Sequence, residues 1–191
     1  EWSPFLEYDD EEAAVWLRAA LEFGFAPAPR LIRSAIYINA TLAAVSPDRV
    51  EEQLATFGHF RTVKIKVAEP GQSFEEDLAR VRRVRELQPQ VAIRLDANGG
   101  YDVATAIEVA KQLALESIDL EYFEQPVKTI DELAVVHSKL ARIGVKVAAD
   151  ESVRKASDPL AVVQANAADV LVIKAQPLGG IQSALGITRE A

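Results

Sequence analysis

The 191-residue chain is 49% hydrophobic and 26% charged, an ordinary balance for a globular protein with one sizeable core. A formal net charge of -8 opposes a nucleic-acid partner, which favours a basic surface, and the absence of cysteine excludes disulfides and thiolate metal sites. No apolar run reaches the ~18 residues of a membrane span and no charged-then-apolar leader opens the chain, so a cytoplasmic location without a membrane partner is expected.

The chain has no methionine, even at position 1, and 181–191 reads as a helix that has barely begun. An internal piece of a longer protein is therefore expected. Residues 1–33 read as the tail of a preceding domain plus a connector. After Trp2-Ser3-Pro4-Phe5-Leu6, the acidic run Asp9-Asp10-Glu11-Glu12 starts a helix. Ala13, Trp16, Leu17, Ala20 and Leu21 give it one apolar stripe, expected to pack in a core. Gly24 and Ala26-Pro27-Ala28-Pro29 end it.

Residues 34–191 alternate short β-rich runs with amphipathic helical stretches. The predicted strands are 35–38, 62–67, 91–95, 120–123, 146–149 and 170–173. Ser46-Pro47 predicts a helix start, Ser73 with Glu76 and Thr129 with Glu132 predict capping boxes, and Gly58 and Gly144 predict helix stops. Strands separated by helices imply parallel βαβ units, because a parallel return needs a long crossover. No G-x-G-x-x-G follows the first strand, which disfavours a dinucleotide-binding sheet. The expected fold is α/β, a (β/α) barrel with about six of eight strands.

Polar residues interrupt these strands in a pattern. Side chains alternate along a strand, so Lys64 and Lys66 share one face while Val63, Ile65 and Val67 take the other. In a parallel barrel the apolar face suits the helices, which sends both lysines inward, where burial lowers an ammonium pKa. Solvated lysines on an edge strand would give the same pattern. Arg94, Asp96 and Asn98 share a face at the end of the next strand. Glu124 and Asp150 end the two strands after it. One acid at such a place could simply cap the next helix. Three in consecutive units would converge at the barrel mouth and repel, and an all-oxygen set with open positions suits Mg²⁺. Zinc is disfavoured, since His59 and His137 both fall away from the mouth. Lys174 ends the last strand, before Gly179 and Gly180. Metal between lysines would form a proton-transfer site, with the metal holding a substrate carboxylate and a lysine taking the α-proton.

In their order, Lys64-x-Lys66, Asp96-x-Asn98, Glu124-Gln125-Pro126, Asp150-Glu151 and Lys174 with Gly179-Gly180 resemble the motifs of the enolase superfamily, muconate-lactonizing branch. The resemblance covers about 34–185. It implies an enolase-type barrel, incomplete here, preceded at 1–33 by a remnant of an α+β capping domain. It also implies a Lys or His base acting with Mg²⁺, a mechanism the superfamily is known for; Mn²⁺ is a conceivable substitute. Ser3-Pro4-Phe5-Leu6-Glu7-Tyr8 and Val172-Ile173-Lys174-Ala175-Gln176-Pro177-Leu178-Gly179-Gly180 resemble a dehydratase of that branch that serves menaquinone biosynthesis. The resemblance then implies a lyase acting on a small cyclohexadiene carboxylate by syn loss of water. Lys66 would be the base and then the acid, Lys174 would stabilise the anion from the opposite face, and Lys64 would keep the Lys66 pKa low. Asp96, Glu124 and Asp150 would ligate the metal, with Asn98, Glu151, Gly179 and Gly180 supporting ligands or substrate. Arg94 would pair with an interior acid. Alternatives are an N-acylamino acid racemase or dipeptide epimerase, a muconate-type cycloisomerase, or an inactive barrel fragment. No oligomeric state is specified. An incomplete barrel would also leave open edges at 35–38 and 170–173 and make the isolated chain inactive and poorly soluble.

Overall fold

A computed structural model describes residues 9–154 and 158–191. The expectations placed on 1–8 therefore lie outside the described residues. Six strands form one parallel sheet: β1 (Ala40–Leu42), β2 (Thr62–Lys66), β3 (Ala92–Asp96), β4 (Leu120–Glu124), β5 (Val147–Ala149) and β6 (Val170–Leu171). They are hydrogen-bonded in sequence order, each parallel to the next. A doubly wound sheet reverses its order at a switch point, and this one does not, which is the barrel-type winding.

The helices between strands follow from periodicity and caps. In α3 (Phe74–Leu87), Ser73 and Glu76 form a full capping box, as do Thr129 and Glu132 in α5 (Ile130–Leu140). The α4 helix (Val103–Leu115) buries Ala106, Val109, Ala110 and Leu113, the i, i+3, i+4, i+7 face, while α5 buries Leu133, Val136 and Leu140. These faces pack on Val63, Ile65, Ile93, Leu95 and Phe123 of the sheet. Each fully buried large aliphatic side chain contributes about 1.5–3 kcal/mol. Gly144 ends the turn after α5 in the left-handed conformation (φ 75°).

Several expectations need correction. The first strand is not 35–38 but Ala40–Leu42, where Ala40 and Leu42 are buried and pair with Val63 and Ile65. Ile36, Tyr37 and Ile38 are instead exposed, with the Arg61 guanidinium over the Tyr37 ring. Ser46 makes no side-chain cap; Pro47 opens a 3-10 turn that leads into α2 (Val50–Leu54). That helix ends at Ala55, so Gly58 is not its stop. The last strand is only Val170–Leu171, which places Ile173 and Lys174 beyond it. The α1 helix (Asp10–Phe25) does begin at an Asp9 cap, but Leu17 and Leu21 of its stripe are exposed and Ala19 is its buried residue. It packs against α8 (Ile181–Glu190) and the residues just before it. No helix among the described residues is long and apolar enough to cross a membrane.

Candidate active site

The register of β2, β3 and β4 sets the site. Lys64 lies beside Arg94, Lys66 beside Asp96, and Asp96 beside Glu124, so the polar residues form two layers on one face of the sheet. In the upper layer Asp96 and Glu124 are buried almost completely, as is Asp150 just past β5. Isolated carboxylates would not stay ionised there, and lysines meet them. Lys64 Nζ sits 2.9 Å from Asp96 Oδ2 and 3.2 Å from Glu124 Oε1, and Lys66 Nζ lies 2.8 Å from Asp96 Oδ2. Lys66 also donates to Asn98 Oδ1 at 2.5 Å, and Asn98 Nδ2 donates to Glu151 Oε1 at 3.1 Å. At the other end of the row, Lys174 Nζ reaches Asp150 Oδ2 at 2.6 Å.

In the lower layer Arg94 binds Glu121 at 2.7 Å and covers the Tyr122 ring at 4.8 Å. Pairing shifts between Ile93 and Arg94, where Ile93 faces Leu120 but Arg94 faces Tyr122. Glu121 is the extra residue of that irregularity, and its carboxylate reaches Arg94. Arg94 thus has a partner of its own below the row of carboxylates. His137 is also away from it, joining Asn166 O and Asp169 near the start of β6.

The electrostatics separate the acids. Burial acts upward on Asp96, but hydrogen bonds from Lys66 and Lys64 outweigh it and hold this carboxyl below the usual carboxylate range. Glu124 goes the other way: burial, then the charge of Asp96, push it up against the opposing Lys64, and Asp150 adds to the rise. For Lys64 the expected lowering is overturned. Burial does act downward, but the hydrogen bond and charge of Asp96 and those of Glu124 prevail, so its net shift is upward.

The donor set fits a hard divalent cation in chemistry. Three buried carboxylates end consecutive strands, the ionised form of Glu124 is disfavoured by burial and then by its acidic neighbours, and Asp150 Oδ1 is buried without a hydrogen-bond donor. The spacing is not preset: among the described residues no three acids or histidines are already gathered at ligand positions. Lys64 lies between Asp96 and Glu124, so a metal there requires that ammonium to yield carboxylate oxygens.

Gly179 and Gly180 lie against α1. A side chain at Gly179 would strike the Arg18 guanidinium, and one at Gly180 the Glu22 carboxylate. Glu22 Oε1 accepts the Gln182 N–H at 3.0 Å, which caps α8. Both glycines have positive φ (88° and 124°), so the backbone shape favours glycine here, while the Arg18 and Glu22 side-chain ends could move aside.

Sequence reasoning gave no role to two residues of this site. Gln125 is fully buried with φ 36°; its Oε1 accepts from the Asp150 and Ser152 N–H groups at 3.1 Å, and its Nε2 donates to Ser152 Oγ at 2.7 Å. It therefore ties the end of β4 to Asp150. Arg154 lies 3.4 Å from Asp150 Oδ1 and donates to Glu151 Oε1 at 2.7 Å. The buried polar position inside Glu124-Gln125-Pro126 was the available signal for Gln125. A cleft of about 580 Å³ opens beside these groups, lined by Asn98, Gly99, Gln125, Lys128, Glu151 and Ser152. That is the size of a small-molecule site.

The sheet winding and the lysine–carboxylate row define a class, and the chain belongs to the enolase C-terminal domain-like family, whose model matches residues 46–191. Residues 1–24 match the enolase N-terminal domain-like family. The chain is similar to the o-succinylbenzoate synthase of Mycolicibacterium smegmatis, with 51% identity over 190 residues, covering 100% of this chain and 57% of that protein. The chain thus spans little more than half the length of this curated relative. Among solved structures it resembles a mandelate racemase/muconate lactonizing family protein from Azoarcus sp. EbN1, with a TM-score of 0.75 and 27% identity over 96% of this chain and 52% of that one. It also resembles a dipeptide epimerase from Cytophaga hutchinsonii complexed with Mg and dipeptide D-Ala-L-Val. There the TM-score is 0.69 and the identity 30%, covering 83% of this chain and 42% of that one.

Proposed function

We propose that this chain carries the proton-transfer site of an o-succinylbenzoate synthase, a Mg²⁺-dependent lyase of menaquinone biosynthesis. The substrate is a hydroxy-cyclohexadiene carboxylate, and the product forms by α-proton abstraction and syn loss of water. The observation that carries the chemistry is the row of three buried carboxylates with lysines at both ends, Lys66 on β2 and Lys174 beyond β6. The 51% identity to a curated synthase favours dehydration over the other reactions such a site supports.

Asp96, Glu124 and Asp150 would hold the metal. When bound, Mg²⁺ (or Mn²⁺ in its place) supplies fixed positive charge to the substrate carboxylate, where negative charge builds as the α-proton leaves. Neutral Lys66 Nζ takes that proton as the C–H bond breaks. It then returns the proton to the hydroxyl oxygen on the same face as the C–O bond breaks, and water departs as the ring becomes aromatic. Lys174 faces the other side of the ring and stabilises the planar anion, in part by cation–π attraction. Lys64 adds positive charge beside Lys66. Asn98 orients Lys66 and is itself held by Glu151.

The test uses the complete gene product, the cyclohexadiene precursor and EDTA. Product formation that EDTA stops and Mg²⁺ restores is expected. A folded, Mg²⁺-binding protein that makes no product would reject the synthase. The similarity to a dipeptide epimerase sustains one second reading, in which Lys66 and Lys174 act as two bases on opposite faces of one carbon. Inversion of an N-acylamino acid or dipeptide with solvent-hydrogen incorporation and no loss of water would establish it.

A further inference from the structure

Beneath the lysines of β2 lies a polar cluster that the proposed chemistry leaves unused. Asp77 and Arg80, one turn apart on α3, are both fully buried. Arg80 Nε donates to the Val45 carbonyl at 2.6 Å. One terminal nitrogen donates to the Lys66 carbonyl at 2.9 Å and to Asp77 Oδ1 at 2.7 Å, and the other donates to Gln72 Oε1 at 2.5 Å. Asp77 Oδ2 accepts the Ala68 N–H at 2.9 Å and the Tyr101 hydroxyl. Gln72 Nε2 in turn donates to the Ala44 carbonyl at 2.7 Å. Two side chains therefore tie together the chain segments that follow β1, β2 and β3.

The backbone that leaves Lys66 is unusual in just this place. Ala68 takes φ 62°, uncommon for a residue with a side chain, and its N–H is the one that Asp77 holds. Gly100 packs so close that a Cβ there would meet the Ala68 carbonyl oxygen at 2.7 Å. Burial and the Asp77 hydrogen bond push the Tyr101 phenol up, so it stays a donor to that carboxylate. A buried ion pair is weak grounds for stability, since apolar residues of similar volume often serve as well. What apolar residues cannot do is grip carbonyl oxygens of Val45, Lys66 and Gln72, from the segments that follow β1 and β2, as one guanidinium does here.

We propose that Arg80, oriented by Asp77, is the positioning residue for Lys66. Its fork fixes the Lys66 carbonyl against Val45 and so fixes the strand end from which Lys66 Nζ reaches Asp96 and Asn98. The inference rests on the reading of Lys66 as the proton-transferring lysine.

The experiment compares Arg80→Lys with the complete wild-type protein. This variant keeps a cation beside Asp77 and so protects the fold, but one ammonium cannot span the Lys66, Val45 and Gln72 oxygens together. The kcat for dehydration is expected to fall about 10- to 100-fold, as for a small misplacement of a reacting group. KM should stay within about twofold, and the isotope effect on α-deuterated substrate should grow as proton transfer becomes slower. Tyr101→Phe should move the same quantities less. A lower melting temperature with unchanged kcat and isotope effect would overturn the proposal.

A second readout needs no turnover. Reductive methylation of Lys66, followed by peptide mass spectrometry against exposed Lys128, should be faster in Arg80→Lys than in wild type. Equal rates would overturn the positioning role. If wild type makes no product while Lys66 labelling still responds to Arg80→Lys, the proposed reaction fails and the positioning stands.

Discussion

Two regions of this molecule invert the usual rule of burial. Between β2 and β5 the interior holds Asp77, Arg80, Asp96, Glu124 and Asp150, each 1% exposed or less. Between residues 23 and 38, Phe23, Phe25, Leu31, Ile32, Ile36, Tyr37 and Ile38 are each at least 76% exposed. In the first region every one of these charges has an opposite charge within ion-pair distance, which is what makes its burial tolerable. In the second, Phe23 and Phe25 end α1 facing outward, and the apolar and β-branched residues from Leu31 to Ile38 form no strand, because β-propensity without a partner surface does not make one. Packing and pairing decide burial here, and residue type alone does not.

That contrast can be broken at either end. The largest effect is expected for Asp77→Ala, which leaves the Arg80 guanidinium buried without its carboxylate and should cost about 3–5 kcal/mol in a denaturant titration. A loss under about 1 kcal/mol would mean that the pair is not the anchor described. A smaller effect of opposite sign is expected for Glu124→Gln. The folded-state pKa of Glu124 is raised, so its ionised form is disfavoured at neutral pH, and that penalty fades only as pH falls through the raised value. Removing the charge should raise the melting temperature of metal-free protein by about 2–4 °C. Saturating Mg²⁺ should reverse the order, since wild type gains about 2.7 kcal/mol at 100 times Kd and a variant that binds poorly does not. No reversal would count against Glu124 as a ligand. The smallest effect is expected at Ile36→Ser, within about 0.5 kcal/mol, because the side chain already faces water. A larger loss would show that 35–38 is packed.

The same contrast explains what could be read from the sequence. Strands β2 to β5 were legible within a residue or two, because alternation and flanking turns agree there, and both capping boxes were legible from local spacing alone. The gathering of Lys64, Lys66, Asp96 and Glu124 followed from period-two alternation on neighbouring parallel strands. The first strand was misplaced because 35–38 carries the stronger β pattern, while the pairing of Ala40 with Val63 is set by tertiary register. Asp77 and Arg80 drew no reading from the sequence, since only the fold shows which face of α3 turns inward. The docking of Arg18 and Glu22 on Gly179 and Gly180 joins parts of the chain too far apart for local pattern to reveal. The net upward shift of Lys64 likewise depends on which carboxylates its ammonium meets.

The most direct test of the central claim is single-turnover dehydration by Lys66→Ala in the complete protein, with Mg²⁺ affinity measured on the same sample. Retained Mg²⁺ binding with loss of product by several orders of magnitude is predicted, because the variant keeps the carboxylates proposed to hold the metal and loses the proposed base. Dehydration within about tenfold of wild type would contradict the account, since removing a general base ordinarily costs about 10²–10⁴-fold.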